Sequence, residues 1–167
     1  MIKIDLSKCT GCRRCETACS FFHTGKINRN LSRIKVVQLY DTGIDGPVAC
    51  VQCKERYCLS CPVNALSIGS LGEIKVSPTI CILCGKCERE CPIGAIEIFN
   101  ETVFVCDLCG GDPKCVKACT EGAITCVTND SLSLSEIKKE TENMTPDEKR
   151  YNYIKNLGTV LRKKWVK

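Results

Sequence analysis

The fold is decided by the stretch Cys81-Ile82-Leu83-Cys84-Gly85-Lys86-Cys87-Glu88-Arg89-Glu90-Cys91-Pro92. Its first three cysteines recur at every third position, and the fourth directly precedes a proline. A tight loop can curl three such thiolates around one [4Fe–4S] core, while the fourth points along the emerging helix toward a different core. Proline then fixes φ where the chain must bend. The spacing therefore predicts a loop that ligates iron–sulfur clusters.

The same pattern occurs three more times in the chain. The first copy keeps the spacing in full, with Ser20 in the place of proline, and comprises Cys9, Cys12, Cys15 and Cys19. The second copy has a wider middle gap and a shorter last gap, and comprises Cys50, Cys53, Cys58 and Cys61. The fourth copy has the widest middle gap, and comprises Cys106, Cys109, Cys115 and Cys119. Similar tails follow the last three copies, which indicates an internal repeat.

Cysteine is the outlier of the composition, with 17 in 167 residues. A disulfide scaffold is the ordinary explanation of such a count. The odd number and the grouping into fours argue against it, and no apolar signal segment precedes Cys9. No run approaches the ~18 apolar residues of a membrane span. We therefore expect a cytoplasmic protein without a membrane span, whose cysteines are reduced and bind metal.

The formal net charge of +5 counts every cysteine as a neutral thiol. Four oxidised clusters held by cysteine thiolates would contribute about −2 each and bring the loaded protein to about −3. Aromatic residues, which stack on bases in proteins that bind single strands, make up only 5% of the chain. Charge and composition therefore argue against a nucleic-acid partner.

Between the first two motifs, residues 24–49 form an insertion that contains a predicted strand at 34–40 and a turn-rich loop at 41–47. Further strands are predicted at 2–6 and 73–76 by alternation of apolar and polar residues. The insertion is either a covering hairpin or a docking surface for a partner. Both interpretations remain open at the level of the sequence.

The last part of the chain has no cysteine and is predicted to be helical. Ser133 and Glu136 have the spacing of a capping box that opens a short charged helix, and Thr145, Pro146 and Glu148 favour the start of a longer one. One face of the longer helix is predicted to carry Ile154, Leu157, Leu161 and Trp165. This tail either folds back over its own domain or anchors a partner.

Two residues stand outside the repeat's metal chemistry. Cys126 occupies the position that Ile68 and Ile98 hold in the other tails, so we expect a small apolar side chain in a buried strand. His23, the only histidine, could hydrogen-bond a cluster sulfur or lie at an interface, but a packing role is the commoner one. We predict no catalytic residue, because no nucleophile triad, phosphate loop or paired carboxylates are visible.

The alternative from another class is a zinc-ribbon interaction module, which uses C-x2-C pairs without redox chemistry. It predicts a colourless protein and leaves the third cysteine of each loop without a role. An independent enzyme is disfavoured, since sixteen ligands for four clusters leave no iron open to a substrate.

With its second and fourth motifs widened, the chain resembles the four-cluster subunits of the dimethyl-sulfoxide-reductase iron–sulfur family. The resemblance covers about residues 1–128. It implies an α+β fold of two fused bacterial-type two-cluster ferredoxin folds (a polyferredoxin), built of small antiparallel hairpins and short helices. The outer half would comprise 1–49 plus 101–128 and the inner half 50–100, with a helical tail at 129–167.

The resemblance also implies how the motifs share ligands. Spacing alone supports exchange of the fourth cysteine within a pair of motifs, whereas the choice of partners comes from the family. Carried onto this chain, the family's pairing gives set 1 (Cys9, Cys12, Cys15, Cys119), set 2 (Cys50, Cys53, Cys58, Cys91), set 3 (Cys81, Cys84, Cys87, Cys61) and set 4 (Cys106, Cys109, Cys115, Cys19). The two-residue gap before Cys61 departs from the usual three.

The function implied is that of a non-catalytic electron-transfer subunit with four [4Fe–4S] clusters. It would connect a larger catalytic oxidoreductase subunit with a ferredoxin or another redox protein. The compact chain is similar to the small subunits of cytoplasmic tungsten enzymes of the aldehyde ferredoxin oxidoreductase type. Similar subunits accompany molybdenum pterin enzymes and some hydrogenases, so a hydrogenase-type complex is the alternative assembly.

Overall fold

The structure is a computed structural model that describes residues 1–127 and 131–165. In those ranges it contains β1 Ile2–Ile4, α1 Arg14–Thr24, β2 Lys35–Leu39, β3 Ile44–Val48, β4 Leu66–Ile68, β5 Ile74–Val76, α2 Lys86–Glu90, β6 Glu97–Phe99, β7 Thr102–Phe104, α3 Lys114–Ala118, β8 Ile124–Cys126, α4 Ser135–Glu140 and α5 Pro146–Trp165. The predicted α+β class, with short antiparallel hairpins and a C-terminal helix, is confirmed. The predicted domain boundary at 128–129 lies outside the described residues.

The strands form four separate antiparallel pairs. Three of them, β2–β3, β4–β5 and β6–β7, are hairpins of consecutive strands. The fourth joins β1 to β8, with Ile2 opposite Cys126 and Ile4 opposite Ile124. Because β1 precedes the first cysteine motif and β8 follows the fourth, this pairing brings the outermost motifs side by side.

Isolated two-stranded hairpins are marginal in water, so these pairs depend on packing against the rest of the chain. One buried cluster joins α1, β1 and β8 and includes Ile2, Ile34, Val36, Leu108 and Ile124. A larger one lies under the tail and includes Leu39, Ile74, Ile93, Ile96 and Ile154. Cysteines belong to both clusters, so the apolar core surrounds the motifs directly.

The insertion between the first two motifs is a packed hairpin. The predicted strands at 2–6, 34–40 and 73–76 are confirmed as β1, β2 and β5. The turn predicted at 41–47 is present but ends at residue 43, because β3 occupies Ile44–Val48. Pro47 lies opposite Val36 in this two-stranded sheet, where a strand edge tolerates a missing N–H. Both strands contribute to the core, while Tyr40 at the tip is 88% exposed.

The predicted helices of the tail are present, but one cap differs. Thr145 and Glu148 form the expected capping box, with Thr145 N–H donating to Glu148 Oε2 at 2.8 Å. The capping box at Ser133 is wrong, since α4 begins after Leu134 and the Ser133 hydroxyl donates to the carboxylate of Glu55 instead. Glu55 belongs to the second cysteine loop, so this bond fastens the start of the tail to that loop.

The long helix α5 folds back over the domain with a different face from the one predicted. Its buried residues are Lys149, Arg150, Tyr153, Ile154 and Gly158. Of the predicted apolar face, Ile154 is fully buried, whereas Leu157 is 40% exposed and Trp165 58% exposed. The prediction of the apolar face was wrong because α5 packs on β2 and β3 through another face, where Gly158 allows close contact with Ile44. No helix in the described ranges has the length and apolar character needed to cross a bilayer.

Candidate metal centres

Each cysteine loop contains a left-handed residue directly before its second cysteine. These residues are Gly11, Gln52, Leu83 and Leu108, with φ between 49° and 65°. A side chain in this conformation costs about 1–2 kcal/mol, so three of the four loops hold a strained turn. Residues in such turns direct successive N–H groups into one concavity, which suits an anion. Sequence analysis missed this feature, for which Gly11 was the only signal.

A second repeated turn follows the last cysteine of three motifs. Asn64, Gly94 and Gly122 stand at equivalent positions with φ of 53°, 63° and 63°. In the two tails that contain Asn64 and Gly94, the turn sends the next N–H back to the sulfur. Ala65 donates to Cys61 Sγ at 3.3 Å and Ala95 to Cys91 Sγ at 3.2 Å. The tail repeat seen in the sequence therefore shapes the surroundings of the fourth cysteine.

Two of the predicted cysteine sets each line a single cavity. Set 1 (Cys9, Cys12, Cys15, Cys119) comes together where α1 begins and α3 ends. Set 2 (Cys50, Cys53, Cys58, Cys91) comes together beside Leu134 of the tail. In both cavities three thiols come from one motif and the fourth from another.

The cysteines of sets 3 and 4 also include neighbours that come from different motifs. Burial raises the pKa of Cys106, Cys109 and Cys115, and Cys19 on α1 lies close enough for its charge to raise each of them further. Cys61 and Cys81 raise the pKa of Cys87 in the same way, after the larger effect of burial. Cys84 is exposed on the same loop as Cys81 and Cys87.

Burial makes most of these thiols poor acids. It raises the pKa of Cys15, Cys50 and Cys115 to about 12 and that of Cys87 to about 11. Cys61 behaves differently, because hydrogen bonds from the N–H groups of residues 63–66 outweigh the effect of burial and lower the pKa of its thiol. The cysteine with the unusual gap is thus held in a turn that favours the thiolate.

Cys126 does not have the buried position expected from the repeat. Its side chain is exposed, as is that of Ile68 in the equivalent tail, which is 50% exposed. Cys126 lies on the same face of β8 as the buried Ile124, and Ile68 on the same face of β4 as the buried Leu66, so in both strands this face becomes exposed at the last residue. Cys126 is therefore not the apolar filler that we predicted.

His23 meets the sulfur of a predicted ligand. Its Nε2 lies 3.6 Å from Cys109 Sγ and 3.4 Å from a carboxylate oxygen of Asp107, which also pairs with Arg33. His23 therefore does more than pack, because its ring nitrogen also contacts a predicted ligand. The resemblance already implied that Cys19 lies beside the fourth motif, but only the packing of α1 against α3 shows that His23, one turn further along, reaches Cys109.

Glu16 is a further residue that sequence analysis missed. Only 1% exposed, it accepts the Val36 N–H at 2.7 Å and the Arg29 Nε–H at 3.0 Å. Burial raises the pKa of its carboxyl, against the opposing effect of the Val36 N–H and of the nearby Arg13 guanidinium. Glu16 thus joins the loop of set 1 to the β2–β3 hairpin.

The chemistry of the donors suits iron–sulfur clusters. All seventeen cysteines are free thiols, and thiolate ligands in fours are what a cubane requires. Within the described residues, two buried side-chain nitrogen atoms lack a hydrogen-bond partner, Arg13 Nη1 and Arg33 Nε. Arg13 lines the cavity of set 1, and the backbone N–H of Arg33 donates to Cys19 of set 4 at 3.2 Å. Such donors fit an anionic core.

Comparison with known proteins points to the same chemistry. Residues 74–97 and residues 1–23 each match a family model described as a 4Fe–4S binding domain. The polyferredoxin-like subunit of an aliphatic sulfonate oxidoreductase from Pyrococcus furiosus is 45% identical over 124 residues, which are 72% of this chain and 71% of the relative.

Two Escherichia coli proteins are similar over nearly their whole length. The electron transport protein HydN is 31% identical over 165 residues, covering 81% of this chain and 91% of the relative. Hydrogenase-4 component A is 30% identical over 175 residues, covering 79% of this chain and 84% of the relative.

Proposed function

The chain belongs to the family of polyferredoxin-like 4Fe–4S electron-transfer proteins, as a non-catalytic member, and we propose that it carries four [4Fe–4S] clusters between a catalytic oxidoreductase subunit and a ferredoxin or another redox protein. The observation that carries this proposal is the convergence of four thiols from two separate motifs on one cavity, seen for set 1 and for set 2. Sixteen cysteines at the repeated spacing support a count of four clusters.

The ligands that we propose are the sixteen cysteines of sets 1 to 4. Bound there, each [4Fe–4S] cluster would take up and release one electron with little rearrangement. The chain's own residues hold the thiolates in place. They do so through the left-handed turn before the second cysteine of each motif and through the turn after the last cysteine of three motifs. Buried residues such as Val51, Leu108 and Ile124 exclude water from the sets. N–H groups aimed at sulfur stabilise the added negative charge.

The four sets follow one another in a row in this proposal. Sets 1 and 4 share the packed helices α1 and α3, and sets 2 and 3 exchange their fourth cysteines. Cys106 of set 4 and Cys50 of set 2 are close enough for Cys50 to add to the effect of burial in raising the pKa of Cys106. The resulting order is 1–4–2–3, with Cys12 and Cys84 as exposed thiols at the two ends.

We also propose that the fold consists of two fused two-cluster halves, residues 1–49 plus 101–128 and residues 50–100. The smaller buried cluster supports the outer half as a unit, because none of its buried residues comes from 50–100, whereas the larger cluster joins the inner half to Leu39 and Val48 of the outer one. The β1–β8 pair would then close the outer half around the inner one.

The partner that we propose is a larger catalytic subunit of the tungsten or molybdenum pterin type. Support comes from the Pyrococcus relative, which is named as a subunit of an oxidoreductase. A hydrogenase-type complex is the second candidate, favoured by the similarity to hydrogenase-4 component A.

Iron analysis of two cysteine variants tests the cluster assignment. Anaerobically purified wild-type protein should contain about sixteen irons and as many sulfides. Cys119→Ala removes one ligand of set 1 and should lose about four irons, whereas Cys126→Ala, at an exposed cysteine outside the sets, should lose none. Bound zinc without visible absorption, or equal iron in both variants, would overturn the assignment.

A further inference from the structure

His23 is unusual among the residues that surround the cysteine sets. It lies in the last turn of α1, and only 9% of its side chain is exposed. Its Nε2 approaches Cys109 Sγ at 3.6 Å. Within residues 1–127 and 131–165, every other hydrogen bond to a cysteine sulfur comes from a backbone N–H. Within those ranges, set 4 is thus the set in which a side-chain donor reaches a cysteine sulfur.

The two neighbours of Nε2 determine which way the hydrogen bond runs. Asp107 is held as a carboxylate by its ion pair with Arg33 and offers only an acceptor oxygen, 3.4 Å away. A metal-bound thiolate at Cys109 likewise only accepts. Because neither neighbour can donate, Nε2 must carry the proton and share it between the two.

From this geometry we infer that His23 donates its Nε2–H to Cys109 Sγ and raises the reduction potential of the centre held by set 4. This inference rests on the proposed function, since it requires a redox centre at set 4. A donor to a ligand sulfur stabilises the more negative, reduced state, and such hydrogen bonds are among the means by which proteins set cluster potentials. His23 is a positioning residue in this role, because it acts through Cys109.

Asp107 lowers the reduction potential of the same centre. It draws the shared proton away from Cys109 and places a negative charge beside set 4. It also accepts the Cys109 backbone N–H at 3.0 Å, a bond that an asparagine can keep. Arg33, whose own N–H donates to Cys19 at 3.2 Å, would keep its positive charge without Asp107. The pair therefore offers two substitutions with opposite expected effects on one centre.

The test is an anaerobic redox titration of the full-length, cluster-loaded protein, monitored by EPR, with three variants. His23→Leu removes the donor and should shift the reduction equilibrium of one centre about tenfold toward the oxidised state, or 59 mV. His23→Gln keeps an N–H in a similar place and should restore the equilibrium to within about threefold of wild type. Asp107→Asn should shift the same centre toward the reduced state.

The iron content of each variant separates this inference from the proposed function. A wild-type protein without reducible clusters would overturn the proposed function itself. With wild type fully loaded, an unshifted titration of fully loaded His23→Leu would overturn the inference. If His23→Leu loses iron, the other two variants decide. Loss of the same iron from His23→Gln would make His23 a ligand and overturn the donor role. An Asp107→Asn titration that overlays wild type, or that shifts toward the oxidised state, would also overturn the inference.

Discussion

Ile4 pairs with Ile124 across a two-stranded antiparallel sheet, although the two residues lie before the first cysteine motif and after the last. Both strands are only three residues long, so the pairing depends on the buried cluster beneath it. It sets Cys9 beside Cys119, whose charge adds to the larger effect of burial in raising the pKa of the Cys9 thiol. The strands that flank the first and last cysteine motifs therefore hold these two motifs together.

The contact between the third motif's tail and α5 can be tested at Gly94. A Cβ on Gly94 would collide with the carbonyl oxygen of Pro146, whereas the equivalent Gly122 has open space around it. Both have a φ of 63°. We expect Gly122→Ala to cost about 1–2 kcal/mol and Gly94→Ala about 1–3 kcal/mol more, because only Gly94→Ala must also displace the start of α5.

Hydrogen exchange of the α5 amides in the loaded protein measures this difference. Gly94→Ala should speed exchange in the first turns of α5, and Gly122→Ala should leave those amides unchanged. Equal protection of α5 in the two variants would show that the helix does not rest on Gly94.

Ile154 and Leu157 test which face of α5 is packed. Ile154 is fully buried and Leu157 is 40% exposed. Ile154→Ala should cost about 2–5 kcal/mol, and Leu157→Ala less than about 0.5 kcal/mol. Thermal unfolding under anaerobic conditions compares the two. A larger loss for Leu157→Ala would restore the apolar stripe predicted from the sequence and reject the packing described above.

Glu16 provides a test of the buried link between α1 and the β2–β3 hairpin. Glu16→Ala leaves the Val36 N–H without its acceptor and should cost about 1–3 kcal/mol. Glu16→Gln keeps an acceptor oxygen of the same reach and should cost less. The midpoints of thermal unfolding rank the two variants, and a Gln variant no more stable than the Ala variant would mean that the Val36 bond contributes nothing.

The raised thiol pKa values predict how iron loss depends on pH. With a pKa of about 12, Cys15, Cys50 and Cys115 are protonated at neutral pH unless metal holds them as thiolates. Iron must therefore displace about one proton from each of these three thiols. Lower pH favours the protonated thiols, so iron loss to a chelator should rise steeply from about pH 8 to about pH 6. Release that does not depend on pH would contradict this view of the sites.

Local chemistry made parts of the structure predictable from the sequence. The cap of α5 at Thr145 and Glu148 involves residues three apart, so it could be foreseen without knowledge of the fold. The cysteine loops were equally legible, because metal ligation requires a fixed spacing. Whether Cys126 or Leu157 is buried depends instead on which element lies opposite, and there the predictions were wrong.

Buried charge was the other feature that the sequence concealed. Lys149 and Arg150 lie outside the apolar face predicted for α5, yet both are nearly fully buried. Lys149 donates to the carbonyl oxygen of Arg89, and Arg150 to that of Gly94 at 2.9 Å. An apolar periodicity cannot reveal such partners, because they lie in a different motif. His23 and Asp107 were hidden for the same reason.

The most direct test of the account is a reductive titration of the anaerobically purified, full-length chain. Dithionite would be added stepwise while the loss of visible absorbance and the growth of the EPR signal are recorded. The account predicts uptake of about four electrons per chain, with spin-coupled signals from neighbouring clusters. Uptake of no electrons, or of about two or fewer, would contradict the proposal that four cysteine sets form one electron path.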